Sequence, residues 1–185
     1  MISAERIAPG IVERKSAFQT IVLGELDGRT SPRVLGIVVA LRSAAIDARA
    51  STEVEVELWQ KFIFIASVAT VCGLARAPIG QVWLAPRGAE FVEAAVREAV
   101  AVARAHGIHL PDDQTTRTVA TIQGLPAKMR PSFLVDLERG GATELDALMG
   151  AVSRIGHQLG VPTPVHSAAT AALGANLGAT GGSPS

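Results

Sequence analysis

Two periodicities divide the chain. Near its start, short β-branched runs, "GIVERK" (Gly10 to Lys15) and "QTIVLGE" (Gln19 to Glu25), read as strands, and "LDGR" supplies a turn. "SPRVLGIVVALRSAA" opens as a helix, with Ser31 as N-cap and Pro32 at the first helical position, where a missing N–H costs nothing. "DARAS" reads as one more short strand. From Ser51 onward the apolar spacing is helical. Thr52 with Glu55 three residues later makes a capping-box pattern opening a helix through "EVELWQKFIFIASVATVCGL", while the alternation in "EVEVE" also suits a strand. "GAEFVEAAVREAVAVARAHG" places Phe91, Ala95, Val96, Ala99, Val102 and Ala103 on one stripe and stops at Gly107. "PSFLVDLERGG" is a short helix with proline at its start and glycine at its end. "TELDALMGAVSRIGHQLG" carries Leu145, Leu148, Val152, Ile155 and Leu159 on one face; Gly160 stops it and Pro162 prevents resumption. "PVHSAATAALGAN" reads as a final helix, and "LGATGGSPS" has nothing to bury.

The expected organisation is therefore a small α/β segment over 1–50, a helical domain over 51–173 and a disordered tail over 174–185. Composition adds exclusions. With 17 basic and 17 acidic side chains, there is no electrostatic case for nucleic acid or an anionic membrane. The apolar stretch Phe62 to Ala75 is shorter than the ~20 residues a bilayer span needs. "MISAERIAPG" lacks the apolar core of a signal peptide, and a single cysteine, Cys72, excludes an internal disulfide. A soluble, cytoplasmic protein is expected.

Candidate chemistry concentrates at one break, "DLERGGATELDAL" (Asp136 to Leu148), where four carboxylates and two glycines interrupt an apolar chain. Thr143 and Asp146 match a helix start, which puts Glu144 in the first turn. There a carboxylate gains roughly 0.3–1 kcal/mol from the helix dipole. The same geometry lets it hydrogen-bond a ligand in an interhelical cleft, with the glycines clearing space, and the two readings are compatible. Lys61 stands at the mouth of the most apolar helix, beside Trp59, Phe62 and Phe64. It reads either as a snorkelling helix-end lysine or as a partly desolvated one whose lowered pKa suits proton donation. His106 and His109 straddle a glycine at a helix end without a third metal ligand, His157 and His166 read as surface or interhelical residues, and Cys72 as an inert core thiol.

In order and spacing, "LWQKFIFIASVATVCGLARAPIG", "EAVAVARAHGIHLP" and "PSFLVDLERGGATELDALMGAVSRIGHQLGVPTPVH" resemble the C-terminal domain of the ketopantoate reductases (2-dehydropantoate 2-reductases), from Leu58 to about Leu173. "APGIVERK" and "IVLGELDGRTSPRV" resemble the last part of that family's nucleotide-binding domain. The resemblance implies a mainly α fold: a helical bundle like the 6-phosphogluconate dehydrogenase C-terminal domain, preceded by a small α/β remnant of a Rossmann domain. It also implies a 2-keto acid substrate, NADPH as hydride donor and a role in pantothenate biosynthesis. Lys61 matches the catalytic lysine that protonates the carbonyl oxygen, and Glu144 the acid that hydrogen-bonds substrate and supports the lysine. Ser132 matches the serine that contacts the substrate carboxylate, and Asp136 a helix-anchoring aspartate.

Departures from the family pattern qualify this. Ile65, Ala69 and Ile79 stand where polar residues occur in the best-studied branch, which points away from a hydroxylated substrate. No G-x-G-x-x-G is present, so NADPH has no phosphate cradle and is not expected to bind this chain alone. No cofactor-binding or metal-ligating residue is assigned. Two readings follow. In one, the chain is the substrate-binding and catalytic half of an NADPH-dependent 2-keto acid reductase, truncated or split, and inactive alone. In the other it is a catalytically silent helical module for dimerisation or interaction. The partners expected are a small 2-keto acid and either a second copy or a separate nucleotide-binding subunit.

Overall fold

The computed structural model describes residues 4–14 and 20–180, and the chain divides into two compact units, Met1–Glu57 and Leu58–Ser185.

In the first unit, β1 (Ala4–Ala8) and β2 (Ile11–Arg14) form an antiparallel hairpin whose turn includes Gly10 at φ 76°. Strand β1 has no alternating pattern and was not expected. Strands β3 (Thr20–Leu23) and β4 (Asp47–Ala50) pair in parallel, and α1 (Pro32–Ser43) is the crossover that such a pair requires. Val34 and Val38 on α1 and Ala48 on β4 are buried together, with Ile21, Leu23, Leu41 and Ala50 packed around them.

Helix α1 begins as its sequence dictates. The Ser31 hydroxyl accepts from the Val34 N–H at 3.2 Å, with Pro32 following. The same hydroxyl donates to Glu25 at 2.5 Å, and Arg33 pairs with the other Glu25 oxygen. The Ser31 bond, then the Arg33 bond, hold the Glu25 carboxyl below its ordinary range. Arg49 grips Glu57 through both carboxylate oxygens, so the unit extends past the boundary expected at residue 50.

Helix α2 (Val54–Ala75) settles the "EVEVE" ambiguity in favour of helix. The expected capping box is not its opening: the Ser51 hydroxyl, not Thr52, accepts from the Glu53 N–H at 3.1 Å. At 22 residues it is long and apolar enough to cross a membrane by length and composition, because it includes the turns before Phe62. Its run from Ala66 to Gly73 is nevertheless buried continuously in the bundle.

Around α2 stand α3 (Ile79–Leu84), α4 (Gly88–Ala105), α5 (Gln114–Gln123), α6 (Ser132–Arg139), α7 (Met149–Leu159) and α8 (Pro164–Thr180). Helix α4 buries the stripe read from its sequence, including Ala95, Val96, Ala99, Val102 and Ala103. Helix α3, at six residues, is too short to show a helical period, and α5 carries too few apolar residues for its limits to show in the pattern. At Gly73 a Cβ would lie 2.8 Å from the Phe133 ring and 3.2 Å from Leu173, so glycine is what lets α6 and α8 approach α2.

Two expectations are corrected. Helix α7 does not begin at Thr143 with a capping box; it starts at Met149, and no side chain caps it. Ahead of it the Leu148 N–H donates to the Glu144 carbonyl at 3.0 Å and the Gly150 N–H to the Leu145 carbonyl at 2.9 Å. This turn, with Leu148 at φ −101° and ψ −95°, allows Leu145, Leu148 and Met149 to enter one core, which a regular helix start gives up. Residues 174–180, expected within a disordered tail, are helical. Helix α8 runs to Thr180, since alanine and leucine around Gly174 and Gly178 favour helix enough to carry it on. Residues 181–185 lie outside the described residues.

Candidate active site

Lys61 lies in the second turn of α2, where the helix has not yet entered the core. Its side chain is exposed, so the desolvation expected from its aromatic neighbours is absent. The reason is geometric. Continuous burial on α2 begins only at Ala66, and Trp59, Phe62 and Phe64 are themselves half-buried.

One turn further along the same face, Ile65 packs on a cluster formed by Ala69, Phe133, Leu137, Leu145, Leu148, Met149, Ala169 and Leu173. Phe62 packs there as well. This cluster is what relates the three candidate residues. Ser132 is the first residue of α6, immediately before buried Phe133, and Glu144 immediately precedes buried Leu145. Lys61, Ser132 and Glu144 are thus each one residue or one turn from a side chain in the same apolar cluster, and all three are exposed.

The local settings differ. No side chain caps the start of α6, where Pro131 sits at φ −64° and ψ 151°, so the Ser132 hydroxyl stands at an open positive helix end. Arg130 pairs with Glu138 across the first turns of this helix. Glu144 lies in the connection before α7 and not in its first turn. Its carboxylate therefore gains nothing from the α7 dipole, and its carbonyl is what accepts from Leu148. Among the described residues neither Lys61 nor Glu144 has an ion-pair partner, so the support expected from Glu144 is not a direct salt bridge here. The Asp136 carbonyl accepts from the Gly141 N–H at 3.1 Å, just past the left-handed Gly140 that ends α6.

The apolar departures divide. Ala69 and Ile79 are core residues, at 1% and 2% exposure, and offer no surface to a ligand. Ile65 is half-buried and lies on the face that carries Lys61. Beside it a groove of about 260 Å³ is lined by Leu58, Trp59, Phe62, Ala151 and Ile155, with Leu58 one turn before Lys61. The Trp59 and Phe62 rings meet edge to face at 5.5 Å.

A buried carboxylate–imidazole contact deeper in the bundle was not foreseen from the sequence. Buried Glu98 on α4 accepts the Val165 N–H at 2.8 Å and the His166 N–H at 3.1 Å, and its carboxylate lies 2.8 Å from His166 Nδ1. A side chain from one helix thus caps the start of α8. The signal was present: Glu98 falls on the Phe91, Ala95, Val102 stripe, where a carboxylate is out of place unless paired. His166 is the interhelical case of the two that were open, and His157 is exposed. Among the described residues no cluster of histidine, cysteine or carboxylates could hold a metal. Cys72 is fully buried, and burial pushes its thiol up to about 12.

Residues 53–176 match the family model described as Ketopantoate reductase PanE/ApbA C terminal, and the chain belongs to that family. It is similar to a 2-dehydropantoate 2-reductase of Archaeoglobus fulgidus, 30% identical over 78% of this chain and 48% of that one. It is also similar to an uncharacterized oxidoreductase, YkpB, of Bacillus subtilis, 26% identical over 84% of this chain and 52% of that one. The chain therefore spans about half the length of the curated relatives it matches. A solved 2-dehydropantoate 2-reductase from Methylococcus capsulatus superposes with a TM-score of 0.85, at 28% identity, over 99% of this chain and 63% of that one.

Proposed function

We propose that this chain is the substrate-binding and catalytic half of an NADPH-dependent 2-keto acid reductase similar to 2-dehydropantoate 2-reductase. The observation that supports this reading is that Ser132 and Glu144 each precede a side chain of one buried apolar cluster, and Lys61 lies one helical turn before Ile65, which packs on it. A 2-keto acid presents a carboxylate and a carbonyl on adjacent carbons. The open end of α6 with the Ser132 hydroxyl suits the carboxylate. Lys61 suits the carbonyl oxygen, which becomes a hydroxyl on reduction and needs a proton or a positive charge as it does so. Glu144 orients the substrate by hydrogen bonding.

The residues present do not fit NADPH. The β3–α1 junction is a strand-to-helix turn of the kind that cradles phosphate, but the Ser31 hydroxyl already caps α1 and bonds the Glu25 carboxylate. A negative group there repels a pyrophosphate. The cofactor site thus belongs to a nucleotide-binding half outside the described residues, and this chain's share is to bind, orient and protonate the keto acid.

One observation favours a silent interaction module instead: Lys61 is exposed and not paired with Glu144. The two readings part in a direct test. The nucleotide-binding half of the Archaeoglobus relative is joined ahead of this chain, and NADPH oxidation is followed with a panel of 2-keto acids. Turnover that Lys61→Ala lowers by about 10²-fold or more supports the enzyme reading. No turnover with any keto acid, in a fusion that retains its helix content, supports the silent one.

A further inference from the structure

The proposed site needs a place for the rest of its substrate, and the surface near Lys61 narrows what that is. Leu58, three residues before Lys61, and Ile65, four after it, are its neighbours along the α2 face, since positions three and four apart are adjacent on a helix. Neither donates or accepts a hydrogen bond. Leu58 is 57% exposed, a large apolar residue held in water at the start of the bundle. It forms one wall of the groove with Trp59, Phe62, Ala151 and Ile155, among whose side chains the Trp59 indole N–H is the sole polar group and none can accept a hydrogen bond. The groove, at about 260 Å³, is large enough for a branched aliphatic or aromatic group, and the Trp59 and Phe62 rings give it a firm aromatic corner.

We infer that the keto acid taken by this site carries an apolar side chain, branched aliphatic or aromatic, which lies in the Leu58–Trp59–Phe62–Ala151–Ile155 groove while its carbonyl faces Lys61. This rests on the proposed function and deepens it. A hydroxyl on the side chain would be removed from water against a wall that offers no acceptor for its proton, and such a loss discriminates against it. Leu58 and Ile155 are then specificity-determining residues, and Lys61 is common to all keto acids.

The test is calorimetric titration of the full 185-residue chain with two keto acids of similar size. They are 4-methyl-2-oxopentanoate, apolar beyond the keto acid head, and 2-dehydropantoate, which carries a hydroxyl. The titrations are repeated on Lys61→Ala, Leu58→Asn and Ile155→Asn, with circular dichroism confirming retained helix. The expected result is at least about tenfold tighter binding of the apolar acid, abolished by Lys61→Ala. Leu58→Asn and Ile155→Asn should narrow that preference to within about threefold, by weakening binding of the apolar acid and supplying the hydroxyl of 2-dehydropantoate with a partner. Equal, Lys61-dependent binding of the two acids, indifferent to Leu58→Asn, overturns the inference and leaves the proposed function standing. Binding of neither acid, or binding indifferent to Lys61→Ala, overturns both.

Discussion

Glu98 illustrates what a single side chain does in this bundle. Its carboxylate accepts two backbone N–H groups at the start of α8 and also faces His166. Removing that carboxylate leaves buried backbone donors without an acceptor, which typically costs about 1–3 kcal/mol. Glu98→Ala should therefore lower unfolding stability by about that much in urea titration; a loss below about 1 kcal/mol would mean that α8 is held by packing alone. Cys72 behaves oppositely, as a group the fold keeps neutral. With its thiol raised to about 12 from an ordinary 9.0, its contribution to stability is fully present below about pH 9. That contribution is lost as pH rises toward 12, where the unfolded chain gains by ionising its thiol. A thiol reagent at neutral pH should leave Cys72 unmodified until denaturant is added, and rapid native-state labelling would show that the α2 core opens. Glu144 is exposed and caps nothing, so Glu144→Gln should change stability by less than about 0.5 kcal/mol while weakening ligand binding. A larger stability loss in thermal melts would restore a structural role.

Helix starts show how far local sequence reaches. Helix α1 was legible because its device is local: Ser31 caps Val34 three residues on, and Pro32 fixes the first turn. The device also titrates. Glu25, held below its ordinary 4.5 by Ser31 and then Arg33, supports this turn above that pH and ceases to as pH falls through the lowered value. Amide protection at Val34, corrected for intrinsic exchange, should drop on acidification below about 4; protection that persists would mean the cap does not need the carboxylate. Helix α7 was misplaced for the converse reason. Thr143 and Asp146 satisfy a local rule, but Leu145, Leu148 and Met149 all find partners in the core only if the helix starts later. Tertiary burial outweighs the fraction of a kcal/mol a cap supplies. Glu98 was missed likewise, because its partner at His166 is far away in sequence.

At the scale of the molecule, the mainly helical fold with a short strand–helix–strand segment ahead of it was legible from period alone, and the family from motifs in order. The exposure of Lys61 was not, since aromatic neighbours in sequence need not be neighbours around a helix. On the proposed function, Lys61, Ser132 and Glu144 act on one ligand. The most direct measurement is a titration of the isotopically labelled chain with 4-methyl-2-oxopentanoate, followed at backbone amides and lysine side chains by NMR. Saturable shifts at the Lys61 side chain, at the Ser132 and Phe133 amides and around Glu144 are predicted, sharing one dissociation constant and vanishing together in Lys61→Ala. Shifts at only one of these places, or with separate constants, would contradict a common site.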